Sequence, residues 1–184
     1  MTRGCLTTIG LKRGKVKLVA YDPIWKVFFE EEKRLLEKTF GNIIIAIEHV
    51  GSTAIPGISA KPIIDINVGV KSLSAARNMQ GKFEEIGYEY RPFIEGHTKE
   101  ELRWQELFVK GSETKRTHHA HVTVFESDYW NSGLLFRDCL RKNLVLAKQY
   151  AELKERLAEK FCDYREKYTS DKDQFIKEIL KSSN

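Results

Sequence analysis

The sequence predicts an α+β fold: a mixed β-sheet flanked by helices, followed by a helical carboxy-terminal subregion from about residue 132 to residue 182. Two β-branched, apolar runs, residues 43–50 and 62–70, predict the centre of the sheet. Apolar residues recurring at helical spacing before, between and after these runs predict the flanking helices.

The first helix is expected to open at Asp22-Pro23. The carboxylate can accept from free first-turn amides, and the missing N–H of proline costs nothing there. Trp25, Phe28, Leu35 and Leu36 follow at helical spacing, and Gly41 supplies the stop. Residues 43–50 then read as a strand apolar enough to be buried on both faces. A loop over 51–61 leads to the second strand, 62–70. Residues 72–87 read as one helix with Leu73, Ala76, Phe83 and Ile86 on one side, ended by Gly87. Residues 88–91, 104–110 and 119–125 read as further strands. From about Leu134 a long amphipathic helix carries Leu140, Leu144, Ala147, Ala151, Leu157 and Phe161. Ser170-Asp-Lys-Asp173 has the pattern of a capping box and predicts the start of the last helix. With no repeat, low-complexity tract or proline-rich linker, residues 1–184 read as one domain.

Composition narrows the partners. The chain is 41% hydrophobic and 31% charged, which describes a folded soluble protein. Lys and Arg number 31 against 26 Asp and Glu, a formal charge of +5 that favours an anionic ligand. The excess is not gathered into a basic stripe with interleaved aromatics, so a nucleic-acid partner is not expected. Trp104 and Trp130 read as core residues before base-stacking platforms. Cys5, Cys139 and Cys162 are odd in number and far apart, which argues against a disulfide framework or a zinc knuckle. Cys139 and Cys162 fall within helical patterns, where buried thiols are expected. No apolar run has the length of a signal peptide or a membrane span, so a cytoplasmic location is expected and no membrane partner.

Chemistry concentrates between His49 and Val70. Gly51 permits a sharp turn that brings backbone amides close to a ligand. Ser52 and Thr53 add hydroxyls, and Gly57 keeps the loop compact. Such a concave turn suits a phosphate group, with Lys61 as the cation that approaches it. Side chains alternate along a strand, so Asp65 and Asn67 share one face. An aspartate in an otherwise apolar strand needs compensation, and a divalent cation bridging to phosphate oxygens supplies it. The competing structural role for Asp65 is to accept hydrogen bonds from the loop 51–57.

A second group is Arg116-Thr-His-His119-Ala-His121. His119 and His121 are two apart and share a strand face, where imidazoles can ligate a metal or move a proton. If this strand neighbours the Asp65 strand, the two pairs meet across the ladder. His118 points the other way, and His97 lies in a polar loop. Further on, Arg137 and Arg141 are four apart and can present planar forks to a phosphate, or form a network with Asp138.

The blocks EHVGSTAIPGISAKPIIDINVGV, RTHHAHVTVFE, LLFRDCLRKN and YAELKERLAEKF closely resemble, in that order, those of the GrpB family. The resemblance runs from about Tyr21 to Leu180. It implies a nucleotidyltransferase-like fold, in which a glycine-serine turn precedes a strand bearing an Asp-x-Asp or Asp-x-Glu pair. Gly51-Ser52 and Asp65-Ile66-Asn67 occupy those places. The family's domain also occurs fused to dephospho-coenzyme A kinases, which hints at nucleotide metabolism. Lys154 and Lys172 match family blocks as well, but helical lysines are ordinarily solvated.

The expected site therefore has Asp65, His119 and His121 as catalytic residues and Asp65 with Asn67 as ligands to Mg²⁺ or Mn²⁺. Gly51, Ser52, Thr53, Lys61, Arg116, Arg137 and Arg141 are the expected phosphate binders. The implied partner is a nucleotide or phosphorylated small molecule, and the implied reaction is nucleotidyl transfer. Asn67 departs from the pattern, because two-metal chemistry needs anionic ligands and an amide brings no charge. A non-catalytic nucleotide-binding module, or a metal-assisted phosphoester hydrolase using the two histidines, are the alternatives.

Overall fold

The computed structural model describes residues 9–92 and 104–182. Cys5 and His97 lie outside them. A helix α1 (Ile24–Phe40) precedes strand β1 (Ile44–Val50), and the short turn Ser52–Ala54 precedes strand β2 (Ile64–Val70). Helices α2 (Leu73–Asn78) and α3 (Gln80–Glu85) lead to β3 (Tyr88–Arg91), β4 (Gln105–Ser112) and β5 (Lys115–Val124). The chain ends in α4 (Asp128–Lys142), α5 (Leu144–Lys160) and α6 (Arg165–Ser182). The strands form one sheet in the order β1-β2-β5-β4-β3. Among the described residues only the β2–β5 pair is parallel, which makes the sheet mixed, as the sequence predicts.

The sheet has two unlike faces because residues alternate along each strand. Ile64, Ile66 and Val68 of β2, Ala120 and Val122 of β5 and Phe108 of β4 face α1, α2 and α3. There they meet Trp25, Phe29, Leu36, Ala76 and Phe83 in the main apolar core. Phe83 and Phe108 stack with ring centroids 4.0 Å apart. A polar bridge crosses this layer: buried Glu32 of α1 accepts from Tyr88 Oη at 3.0 Å and from Lys110 Nζ at 2.9 Å. The opposite face carries Asp65, Asn67, His119 and His121 and is covered by α4 and α6.

Several elements differ from expectation, each for a packing reason. β1 is not buried on both faces. It pairs only with β2 at the sheet edge, and Ile45 is 52% exposed there. Residues 72–87 form two short helices, because the chain turns at Met79 to bury its side chain in the core. The long carboxy-terminal helix is two helices. Asn143 closes α4, and its Oδ1 accepts from the N–H groups of Val145 and Leu146 to open α5. Leu144, expected on the apolar stripe, is consequently exposed. The proposed capping box starts nothing: α6 begins at Arg165, and the Ser170 hydroxyl donates within the helix to Lys167 O at 3.1 Å. Cys162 lies just past α5 and is exposed, whereas Cys139 is half-buried. Trp130 is a core residue packed on Phe125, but Trp104 is exposed. No helix among the described residues is long and apolar enough to cross a membrane.

Two histidines are buried toward the core. His49 stacks on Phe29 at 4.7 Å, and His118 lies 3.9 Å from Glu32. Burial lowers both imidazoles to about 4, outweighing the pull of Asp65 on His49 and of Glu32 on His118. Both are therefore neutral in the folded protein at pH 7. Between pH 6.5 and about 4 the unfolded chain binds protons at these positions and the folded chain does not, so stability is lost as pH falls through that window. The loss should reach about 2–3 kcal/mol per histidine near pH 4, read from urea unfolding at pH 7 and pH 4.5. With His119 lowered in the same way, in His118→Gln the deficit at pH 4.5 should shrink by about a third. A variant with the same deficit as the parent excludes this histidine as a source.

Candidate functional site

The parallel pairing of β2 with β5 sets Asp65 opposite His119 and Asn67 opposite His121. All four side chains share the face under α4 and α6. His119 Nδ1 donates to Asp65 Oδ1 at 3.1 Å, and His121 Nε2 lies 3.8 Å from the same oxygen. On its far side the His121 ring is held by Gln105 of β4, with Nδ1 2.7 Å from Oε1. Burial lowers His119 to about 4, so its imidazole is neutral. Burial alone would raise the Asp65 carboxyl. The hydrogen bond from His119, with the His121 ring close by, outweighs it and holds the acid well below the usual carboxylate range. Asp65 is therefore an anion at neutral pH, and one oxygen and two ring nitrogens lie within 4.8 Å of one another.

The glycine-serine turn closes over this group. Gly51 has φ +68° and ψ −174°, a backbone region open essentially to glycine alone. A Cβ at Gly51 would stand 2.5 Å from Asp65 Oδ2, so the glycine also provides the close approach. Beside it, a small chamber of about 110 Å³ is bounded by Gly51, Ser52, Lys61, Tyr150, Tyr168 and Lys172. Ser52 and Tyr150 stand together in its wall. Lys61 Nζ lies 5.5 Å and Lys172 Nζ 4.6 Å from the centroid of the Tyr168 ring. Burial pushes both amines down, Lys61 well below its ordinary value and Lys172 to about 8. Arg165 and Lys172 add like-charge repulsion at Lys61, and Asp65 partly offsets it. The chamber opens into a cleft of about 370 Å³ with Asp65, His119 and His121 in its wall. Leu107, Phe136 and Ile176 make part of that wall apolar, and Arg165 and Asp173 stand at it from α6.

The structure thus brings together Gly51, Ser52, Lys61, Asp65, Asn67, His119 and His121. Asn67 is buried in the cleft wall, and its Nδ2 has no hydrogen-bond partner. Thr53 borders the chamber, but its hydroxyl is engaged behind the turn, donating to Ile63 O at 3.3 Å and lying 3.0 Å from His49 Nε2. Arg116 is not brought to the cleft: its guanidinium pairs with Glu113 at 2.9 Å, near the β4–β5 connection. Arg137 donates at 2.7 Å to both Glu48 and Asp138, and at 3.0 Å to His49 O. Arg141 donates to Ala54 O at 2.9 Å. Both arginines border a separate cleft of about 440 Å³ between α1 and β1, where they brace the turn from behind.

Tyr150, Tyr168 and Lys172 in the chamber and Arg165 in the cleft lay outside the sequence expectation. A signal for one was present. Lys172, Ile176 and Leu180 repeat every four residues, which puts the lysine on the apolar stripe of α6. Lys154, also expected to be solvated, is 1% exposed and donates to Ser59 O. It shares a stripe with Ala147 and Tyr150, its Nζ 4.9 Å from the Tyr150 ring centroid.

Comparison with known proteins returns a consistent picture. A family model described as "GrpB protein" matches residues 15–182. The Glutamate-rich protein GrpB of Alkalihalophilus pseudofirmus is 39% identical over 176 residues, covering 94% of this chain and 98% of that protein. The crystal structure of conserved protein GrpB from Enterococcus faecalis superposes with a TM-score of 0.79 at 37% identity, covering 91% of this chain and 96% of that one. A more distant relative, the Dephospho-CoA kinase of Mycobacterium leprae, is 28% identical over 161 residues, which span 38% of that protein.

Proposed function

Because the chain belongs to the GrpB family, we propose that its cleft binds a nucleotide or other phosphorylated small molecule at a nucleotidyltransferase-like site. The observation that carries this reading is the pair of half-buried lysines, Lys61 and Lys172, beside the Gly51–Ser52 turn. Two ammonium groups desolvated around one aromatic ring repel each other, and an anion between them relieves that repulsion. A phosphate group fits by charge, with the Ser52 hydroxyl and the turn to complete its contacts. The apolar wall from Leu107 to Ile176 suits the uncharged body of such a ligand. The match to part of a Dephospho-CoA kinase adds a nucleotide-metabolism context.

In the catalytic form of this reading, the reaction is in-line transfer of a nucleotidyl group to an acceptor. Such a displacement depends mainly on positioning and on stabilising charge at the phosphorus oxygens. Lys61 and Lys172 neutralise that charge, and the turn at Gly51 and Ser52 holds the phosphate in register. His119 or His121 orients the attacking group, with Asp65 fixing the His119 ring. A divalent cation at Asp65, Mg²⁺ or Mn²⁺, would add Lewis-acid stabilisation. Asn67 supports a second reading, a binding module without catalysis, because it puts an amide where a second carboxylate is needed.

A thermal-shift screen of nucleotides and coenzyme A precursors, with and without Mg²⁺ or Mn²⁺, tests the proposal. Stabilisation with pyrophosphate release supports transfer. Stabilisation without release or metal dependence supports the module, release of phosphate from a monoester supports a hydrolase, and no stabilisation by any phosphorylated compound overturns the proposal. Lys172→Met sharpens it. Removing one of two repelling cations should raise the stability of the free protein by about 1–2 kcal/mol while weakening binding of inorganic phosphate by about tenfold. Unchanged phosphate affinity in this variant removes Lys172 from the site.

A further inference from the structure

The donor set in the cleft does not fit the carboxylate-only, two-metal arrangement of nucleotidyl transfer. Position 67 offers a neutral amide, and on the β5 side the residues facing Asp65 and Asn67 are imidazoles, while Glu48, opposite Asn67 on β1, is held by Arg137 at 2.7 Å. We propose that Asp65, His119 and His121 form a mononuclear site for a first-row transition metal, with two nitrogens and one oxygen as ligands. The role of that metal in the cleft rests on the function proposed above; its ligation does not.

The geometry argues for it directly. Two ligand atoms each about 2.1 Å from a metal, at a tetrahedral angle, stand about 3.4 Å apart. Asp65 Oδ1 lies 3.1 Å from His119 Nδ1 and 3.8 Å from His121 Nε2, on either side of that value. A cation among the three atoms takes the place of the proton that His119 now donates to Asp65, and the ring carries its proton on Nε2 instead. All three ligands sit on paired strands, so the ladder spaces them without help from a loop. Metal-binding histidines ordinarily engage their second nitrogen with an acceptor, which fixes the ring and its tautomer. His121 does this, its Nδ1 2.7 Å from Gln105 Oε1. The remaining coordination positions face the cleft, where a phosphate oxygen or water can complete them. Two imidazoles suit Mn²⁺, Fe²⁺, Co²⁺ or Zn²⁺, whereas Mg²⁺ prefers oxygen ligands and keeps its waters.

The test uses chelator-treated full-length protein and metal alone, with no phosphorylated compound present. Calorimetric titration should give about one Zn²⁺ or Co²⁺ per chain, with Mg²⁺ bound at least about 100-fold more weakly. Substitution His121→Ala should lower Co²⁺ affinity by more than about tenfold, and Gln105→Ala by about tenfold through the loosened ring. Circular dichroism of each variant verifies folding. Independently of any substitution, Co²⁺ should shift or broaden the ring ¹⁵N signals of His119 and His121 while leaving those of His118 sharper. Equal affinity for Mg²⁺ and Zn²⁺, or unperturbed His119 and His121 signals under saturating Co²⁺, overturns the site. Metal binding by a protein that no phosphorylated compound stabilises would sink the functional proposal and leave this one standing; stabilisation by phosphorylated compounds with no metal bound would do the opposite.

Discussion

Gly51→Ala should lower stability by about 2–4 kcal/mol and abolish ligand and metal binding together, the largest effect of any single methyl group in the site. Two penalties add. The backbone at φ +68° and ψ −174° lies where L side chains are strained. The new Cβ also stands 2.5 Å from Asp65 Oδ2 and 3.0 Å from Asp65 Cβ. Both contacts are to a short side chain on a central strand, which has nowhere to move except away from His119. Gly57→Ala separates the two penalties. Gly57 also has a positive φ, +82°, but nothing lies within 4 Å of the position its Cβ would take. That variant should pay strain alone and bind normally. Urea unfolding and phosphate titration of both proteins make the comparison. Normal binding in Gly51→Ala means that the turn and Asp65 do not act as one unit.

The second large effect belongs to Asp65 itself. Its carboxylate is the acceptor for His119 and an anion that favours the charged form of both Lys61 and Lys172. Asp65→Asn keeps the shape and removes the charge. Stability should fall by about 2–3 kcal/mol, since desolvated cations lose their compensation. Divalent-metal enhancement of ligand binding should vanish, because a neutral amide is a poor ligand for a divalent ion. Binding of inorganic phosphate without metal should survive, as Lys61 and Lys172 remain. Isothermal titration with and without Mn²⁺ reads both effects. A variant that retains full metal dependence places the cation away from Asp65 and refutes both the metal site and the metal-assisted form of the proposed function.

Asp65→Asn acts in the opposite sense to Lys172→Met, and the contrast follows from the charge arrangement. The free protein holds desolvated cations around an aspartate, a conformation paid for by the rest of the fold. Removing a cation relieves that tension, and removing the anion increases it. A site optimised only for stability would show neither response.

The sequence by itself determined the pieces whose cause is local. Alternation along a strand is enough to put Asp65 with Asn67 and His119 with His121. Glycine at 51 is enough to mark a turn, since few other residues tolerate its backbone. The α+β class and the mixed sheet followed from where the apolar period changes. Only the tertiary structure decided how these pieces meet. Parallel pairing of β2 with β5 joins residues 54 positions apart in the chain, and no local pattern sets that register. Helix α6 brings Arg165, Tyr168 and Lys172 to the turn, a burial that sequence reading assigns to solvent because lysine is costly to desolvate. Arg137 and Arg141 share a helix face as their spacing requires, yet that face meets the back of the turn, where carboxylates and carbonyls already satisfy them. Helix ends at Asn143 and Arg165 were likewise settled by packing between helices. The turn at Gly51 and the aspartate at 65 were legible from the chain alone. The cations and imidazoles that give them their chemistry were placed by contacts between distant elements, whose free energy exists only once the sheet has formed.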